Sequence, residues 1–163
     1  MSKKTQRSEQ RIAFGEEWVV RFMGVLDSTL DDATKKMVME ENGRRCYHNW
    51  TKESGRKIKP VTLEQYKKWV GKHESDGSIR FEGNVIHFQY MSAAETGLPS
   101  KEGECLCPLV ESKPKGLSAI YCHCSVGYVK EWHERLLRRP VDVELVESVL
   151  NGGKRCRFKI TLA

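Results

Sequence analysis

A chain of 163 residues, 39% hydrophobic and 31% charged, is long enough for one domain with a core of its own, and no apolar run approaches the ~20 residues that span a membrane. The basic opening MSKKTQRSEQR is not followed by the hydrophobic segment of a secretory signal, so the expected compartment is the cytoplasm, where thiols stay reduced. The net charge of +6 is spread over RKIK at 56–59, RLLRR at 135–139 and KRCRFK at 154–159, with carboxylates among most of the basic residues, which favours a solvated basic surface over a nucleic-acid interface.

Residues 1–10 read as a disordered basic tail and 11–163 as a single α+β domain. From Ile12 the apolar positions Ile12, Val19, Phe22, Met23 and Leu26 follow helical spacing, which predicts a first helix ending near Asp27. Ser28-x-x-Asp31 resembles a capping box and opens a second helix carrying Ala33, Met37 and Val38, expected to fade near Gly43 or Cys46. NWTKESGRKIKP reads as a polar loop. Thr62-x-x-Gln65 then starts a third helix with Leu63, Tyr66 and Val70 on one face, ending near Gly71.

Past His73 the period changes from helix to strand. SIRFE and VIHFQYM form a hairpin around Gly83-Asn84, with Ile86, Phe88 and Tyr90 on one face and Val85, His87 and Gln89 on the other. A Gly/Ser/Pro-containing loop fills 92–104. CLCPLVE and LSAIYCHC read as short strands around a polar turn, SKPKG. A helix follows from about Val126 to Arg138 and is stopped by Pro140. The strands VDVELVESVL and KRCRFKITL close the chain, the latter with Cys156, Phe158, Ile160 and Leu162 inward. N-terminal helices packed on a mostly antiparallel sheet with one inserted helix make an α+β fold.

Four of the six cysteines form two Cys-x-Cys pairs, Cys105/Cys107 and Cys122/Cys124. On a strand, residues i and i+2 share a face, so neighbouring strands would converge four thiols on one ion. Such a set suits zinc, or alternatively an iron–sulfur cluster, because soft sulfur ligands match those metals. The spacing is tighter than the usual Cys-x₂₋₄-Cys, and idle, buried cysteines remain an open reading, as does a redox or nucleophilic thiol. Ser125 reads as an N-cap, which would place Cys124 at a helix start that favours a thiolate. Cys124 is accordingly the candidate nucleophile of a metal- or thiol-dependent enzyme such as a hydrolase, with His123, His87 or His48 as its base. Cys46 fits either helix packing or a fifth thiol near the site, and Cys156 fits the core.

The C-terminal segment YCHCSVGYVKEWHERLLRRPVDVELVESVLNGGKRCRFKI resembles the end of the 4-vinyl-reductase-type small-molecule-binding domain, and MEENGRRC, CLCP and YCHCS together resemble an uncharacterised prokaryotic cysteine-rich family. The first resemblance implies a pocket for a small apolar or aromatic molecule, a structural zinc in some members, and a homodimer. Members that hold zinc have a cysteine where this chain has Ser148, so any metal here is expected at Cys105, Cys107, Cys122 and Cys124. The second family has cysteine at the position of Asn42. The function expected from the sequence is that of a metal-binding, small-molecule-binding domain.

Overall fold

The computed structural model describes residues 3–74, 77–90, 105–107, 109–110 and 114–163. The loop expected over 92–104 lies outside the described residues. Helix α1 spans Lys3–Thr29, so it runs through most of the stretch read as a tail. Helix α2 spans Asp32–Ser54. Its cap is Asp31, whose carboxylate accepts bonds from the Thr34 amide (3.0 Å) and hydroxyl (2.7 Å), whereas Ser28 bonds back to the Val25 carbonyl inside α1. The buried Lys35 ammonium bridges Asp27 and Asp32, tying the end of α1 to the start of α2.

Helix α2 does not fade at Gly43 or Cys46 but continues to Ser54, where Gly55 turns the chain at φ 64°. Gly43 is a point of helix crossing. A Cβ there would overlap the Cys124 carbonyl, and one at Gly127 would overlap the Glu40 carbonyl. Two glycines thus let two backbones meet, and the packing repays the helix propensity that Gly43 loses. Helix α3, Leu63–His73, opens with the expected capping box: the Gln65 amide donates to the Thr62 hydroxyl (3.2 Å), and the Thr62 amide donates to the Gln65 side chain (2.9 Å).

Strands β1 (Ile79–Glu82), β2 (Val85–Gln89), β3 (Val141–Glu147) and β4 (Arg157–Leu162) form one antiparallel sheet in the order β1-β2-β4-β3. The expected hairpin closes at Gly83-Asn84 with Gly83 at φ 64°. Alternation puts Ile79, Ile86, Phe158, Ile160, Leu162 and Val141 on one face. There they meet Tyr66 and Val70 of α3 and Val126, Val129 and Leu137 of helix α4, which spans His123–Leu137. Burying each such side chain stabilises the fold by about 1.5–3 kcal/mol. Within this core His133 has no exposure. Its Nδ1 donates to the Val129 carbonyl (2.8 Å), so Nε2 accepts from the Tyr66 hydroxyl (3.1 Å), and burial lowers the pKa of the ring to about 4.

A second cluster lies between the helices. Val19 and Met23 of α1, Met39 of α2, Val110 and Tyr121 are buried together. This cluster explains the main departure from the expected architecture. LSAIYCHC is not a strand: Ala119–Cys122 is a 3₁₀ turn that leads directly into α4 at His123. Tyr121, Cys124, Gly127 and Tyr128 recur at helical spacing, and helical geometry turns that stripe onto α2. Cys105–Cys107 also lies outside any strand. VDVELVESVL ends as a strand at Glu147, and Val149–Asn151 forms a second 3₁₀ turn capped by Ser148.

Candidate functional site

The helical start of α4 changes how its two cysteines point. Residues i and i+2 of a helix lie roughly 200° apart, so Cys122 and Cys124 do not share a face as they would on a strand. Cys122 is buried and hydrogen-bonded to Ser148, on the side of Cys156. Cys124 faces α2, where the Asn42 amide nitrogen lies 3.5 Å from its Sγ.

Cys107 lies between these two directions. Its Sγ is 3.3 Å from the Tyr121 hydroxyl, and with Cys105 and Cys124 it packs on the Val19–Met23–Met39 cluster. The charge of a Cys107 thiolate would be felt at Cys46, Cys122, Cys124 and Cys156, and that of Cys105 at Cys122 and Tyr121. Cys107 thus lies within electrostatic reach of Cys46, which the sequence left between helix packing and a fifth thiol near the site, and of Cys156, which it assigned to the core. None of the six cysteines is in a disulfide. Tyr90 reaches the same region from the end of β2 through a side-chain bond to Ser125.

The electrostatics favour neutral thiols. Burial, reinforced by the neighbouring sulfurs, pushes Cys122 up to about 12 and Cys124 up to about 11, and raises Cys46 and Cys156 in the same way. Asn42 opposes the rise at Cys124, and Ser148 opposes it at Cys122. The cap position of α4 is Cys122 rather than Ser125, with no side-chain cap bond. A helix terminus contributes roughly 0.3–1 kcal/mol, less than one pKa unit, so desolvation outweighs it at Cys124.

The histidines are engaged elsewhere. His123 Nδ1 lies 3.2 Å from Glu40, His48 Nε2 lies 3.2 Å from Glu131, and His87 Nε2 lies 3.0 Å from Glu82. His87 is on the sheet face opposite Ile86 and Phe88, away from α4, in a cleft of about 190 Å³ that it shares with Arg80, Gln89 and Arg157. Among the described residues, no three His, Cys, Asp or Glu side chains are arranged to hold a metal ion. The thiols are a soft donor set of the kind zinc prefers, but as placed they point in different directions.

Tyr121, Asn42, Tyr90 and Ser148 are parts of the site that sequence reasoning assigned no role. Tyr121 directly precedes Cys122, and the family resemblances marked Ser148 and Asn42 as positions where relatives carry cysteine. Asn42, Tyr90 and Ser148 reach the thiols only through tertiary contacts.

An α+β domain with half-buried cysteines beside a close helix crossing is the class that the fold and site define. The chain belongs to the family of unknown function DUF6144, whose model matches residues 3–163. No curated protein matches it. Among solved structures it is similar to trafficking protein particle complex subunit 3 from Naegleria fowleri, covalently bound to palmitic acid. That likeness has 15% identity and a TM-score of 0.46, and covers 93% of this chain and 96% of the other. It is also similar to the phenol-responsive sensory domain of the transcription activator PoxR with phenol, at 11% identity and a TM-score of 0.47, covering 91% of this chain and 74% of the other.

Proposed function

We propose that this chain is a cysteine-rich domain that takes up a soft metal ion at Cys105, Cys107, Cys122 and Cys124 and holds a small molecule beside it. Zinc is the first candidate and an iron–sulfur cluster the alternative. One observation carries the reading: a charge on Cys107 would oppose ionisation of Cys46, Cys122, Cys124 and Cys156, which come from three other parts of the chain. Desolvated, mutually repelling thiolates are unfavourable alone, and a bound divalent cation reverses that balance by deprotonating the sulfurs it ligates. The sulfurs need to turn toward one centre for this, and Cys105–Cys107, outside any strand, is the segment to do so.

A metal so held supplies a cross-link between 105–107 and the start of α4. This chain's own residues do the rest. Tyr121 and Asn42 hold the sulfurs of Cys107 and Cys124, and the Gly43–Gly127 crossing keeps α4 against α2. The test is zinc titration of the reduced protein in weak buffer, with proton release as the readout. Release of more than one proton per bound zinc supports the thiolate site; uptake without proton release would refute it.

The small-molecule part rests on a cleft of about 570 Å³ lined by Met37, Val38, Glu41, Asn42 and Arg45. Met37 and Val38 expose apolar side chains there, and Asn42 connects the cleft to Cys124. A small apolar or aromatic molecule suits this lining. Saturable uptake of N-phenyl-1-naphthylamine that is lost in Val38→Glu supports it, and uptake unaffected by that change counts against it. The homodimer implied by the sequence resemblance would use α1, where Phe14, Trp18, Phe22 and Val25 form an exposed stripe and Trp18 stacks on Phe22 at 5.1 Å. Sedimentation of wild type against Trp18→Glu tests that. A monomeric wild type would end the dimer reading.

A further inference from the structure

Away from the thiols, the C-terminal ends of α2 and α4 and the linker between α2 and α3 enclose a cleft of about 550 Å³. Its lining includes Arg56, Lys57, Arg135 and Arg138, with Tyr47 and His48 of α2 beside them, and among the described residues it contains no carboxylate. The linker is held in place, because the Val61 amide donates to the Leu136 carbonyl at 2.9 Å. The cations are also positioned. Arg56 lies over the Trp50 ring at 5.2 Å and Arg135 over the Tyr47 ring at 6.0 Å. Arg135 gives Nε to Glu131, which leaves its terminal nitrogens as further donors on a residue that lines the cleft.

Charge counting shows an excess that the fold itself does not use. Two helix C-termini present about half a negative charge each, and Glu131 offsets Arg135. That leaves an excess of about two positive charges among the four cations. Backbone geometry gives an independent indication. Arg138 is the one non-glycine residue with positive φ among the described residues, at φ 50°. It occupies the helix C-cap, where glycine would fit without the steric cost of a left-handed residue that carries a side chain. An arginine kept in that conformation points to a use for its guanidinium.

We infer that this cleft binds a phosphoryl dianion, either free phosphate or the phosphate of a small phosphomonoester, between Arg56, Lys57, Arg135 and Arg138. The guanidinium forks suit two-point contact with phosphate oxygens, and Tyr47, Ile58 and Pro60 offer an apolar wall for the body of an ester.

The test follows the ¹⁵N amide spectrum of the full chain in 0.15 M NaCl during titration with inorganic phosphate and with phenyl phosphate. The variant is Arg138→Gly, which removes one cation and relieves the backbone at the same position. Saturable shifts at Thr51, Arg56 and Lys57 that weaken about tenfold in Arg138→Gly, while the variant melts no lower than wild type, support the inference. Tighter binding of phenyl phosphate identifies a phosphomonoester, and equal binding identifies phosphate itself. The inference is overturned if wild type binds neither, if Arg138→Gly binds both as wild type does, or if only a short oligonucleotide binds.

Discussion

Replacing Gly43 or Gly127 with alanine probes the contact on which the thiol site depends. In an exposed helix interior this exchange gains about 1 kcal/mol of helix propensity. At the α2–α4 crossing the new methyl would occupy the space of a backbone carbonyl on the opposite helix, and a carbonyl cannot swing aside as a side chain can. The helices must separate, and overpacking of this kind costs about 1–3 kcal/mol and occasionally more. Contact with backbone on both sides argues for the upper end, giving a net loss of about 2 kcal/mol and a fall in Tm of about 4–8 °C for a domain of this size. Gly24→Ala and Gly71→Ala are the controls, since both positions are helical and have nothing within 4 Å of the new Cβ. They should gain about 0.5–1 kcal/mol. Urea unfolding of the four variants reads the sign directly. If Gly43→Ala and Gly127→Ala are as stable as the controls, the close crossing is wrong, and with it the placement of Cys124 against Asn42 and Cys46.

Two further outcomes concern protonation. The folded pKa of His133 is about 4, below the ordinary 6.5, so the unfolded chain takes up the proton first. The neutral ring's contribution to stability is complete above about pH 6.5 and is lost as the pH falls toward 4, a total of about 3 kcal/mol. The ring's NMR titration should have its midpoint near pH 4, and a midpoint near 6.5 would show that the Tyr66–His133 pair is not buried as described. In metal-free protein, iodoacetamide should modify Cys122 and Cys124 more slowly than an ordinary thiol, with rates rising only toward pH 11–12. A Cys124 that titrates below about 8.5 would restore the activated nucleophile and count against the neutral thiol cluster.

What could be read from the sequence was local. The Thr62–Gln65 capping box, the Gly83-Asn84 hairpin and the alternation of Phe158, Ile160 and Leu162 depend on residues a few positions apart, and all are present. Gly43 looked like a helix stop because its role comes from Cys124, a residue distant in sequence. Cys122-x-Cys124 fitted a strand by alternation, but Tyr121, Cys124 and Tyr128 also fit a helix, and only the cluster on Val19, Met23 and Met39 decides between them. For the same reason the sequence left Cys46 between helix packing and a fifth thiol near the site, and assigned Cys156 to the core without joining it to the pairs. The strand geometry assigned to the paired motifs did not hold, because Cys122 and Cys124 lie on a 3₁₀ turn and a helix and Cys105–Cys107 lies outside any strand.

The central claim is that the gathered thiols are a soft-metal site. Metal content and the ultraviolet–visible spectrum of freshly, anaerobically purified protein, compared with Cys107→Ser, test it most directly. The account predicts near-stoichiometric zinc with no visible absorbance, or iron with the absorbance of a cluster, and loss of either in Cys107→Ser. Wild-type protein that holds neither metal, or a Cys107→Ser variant that holds as much as wild type, would contradict it.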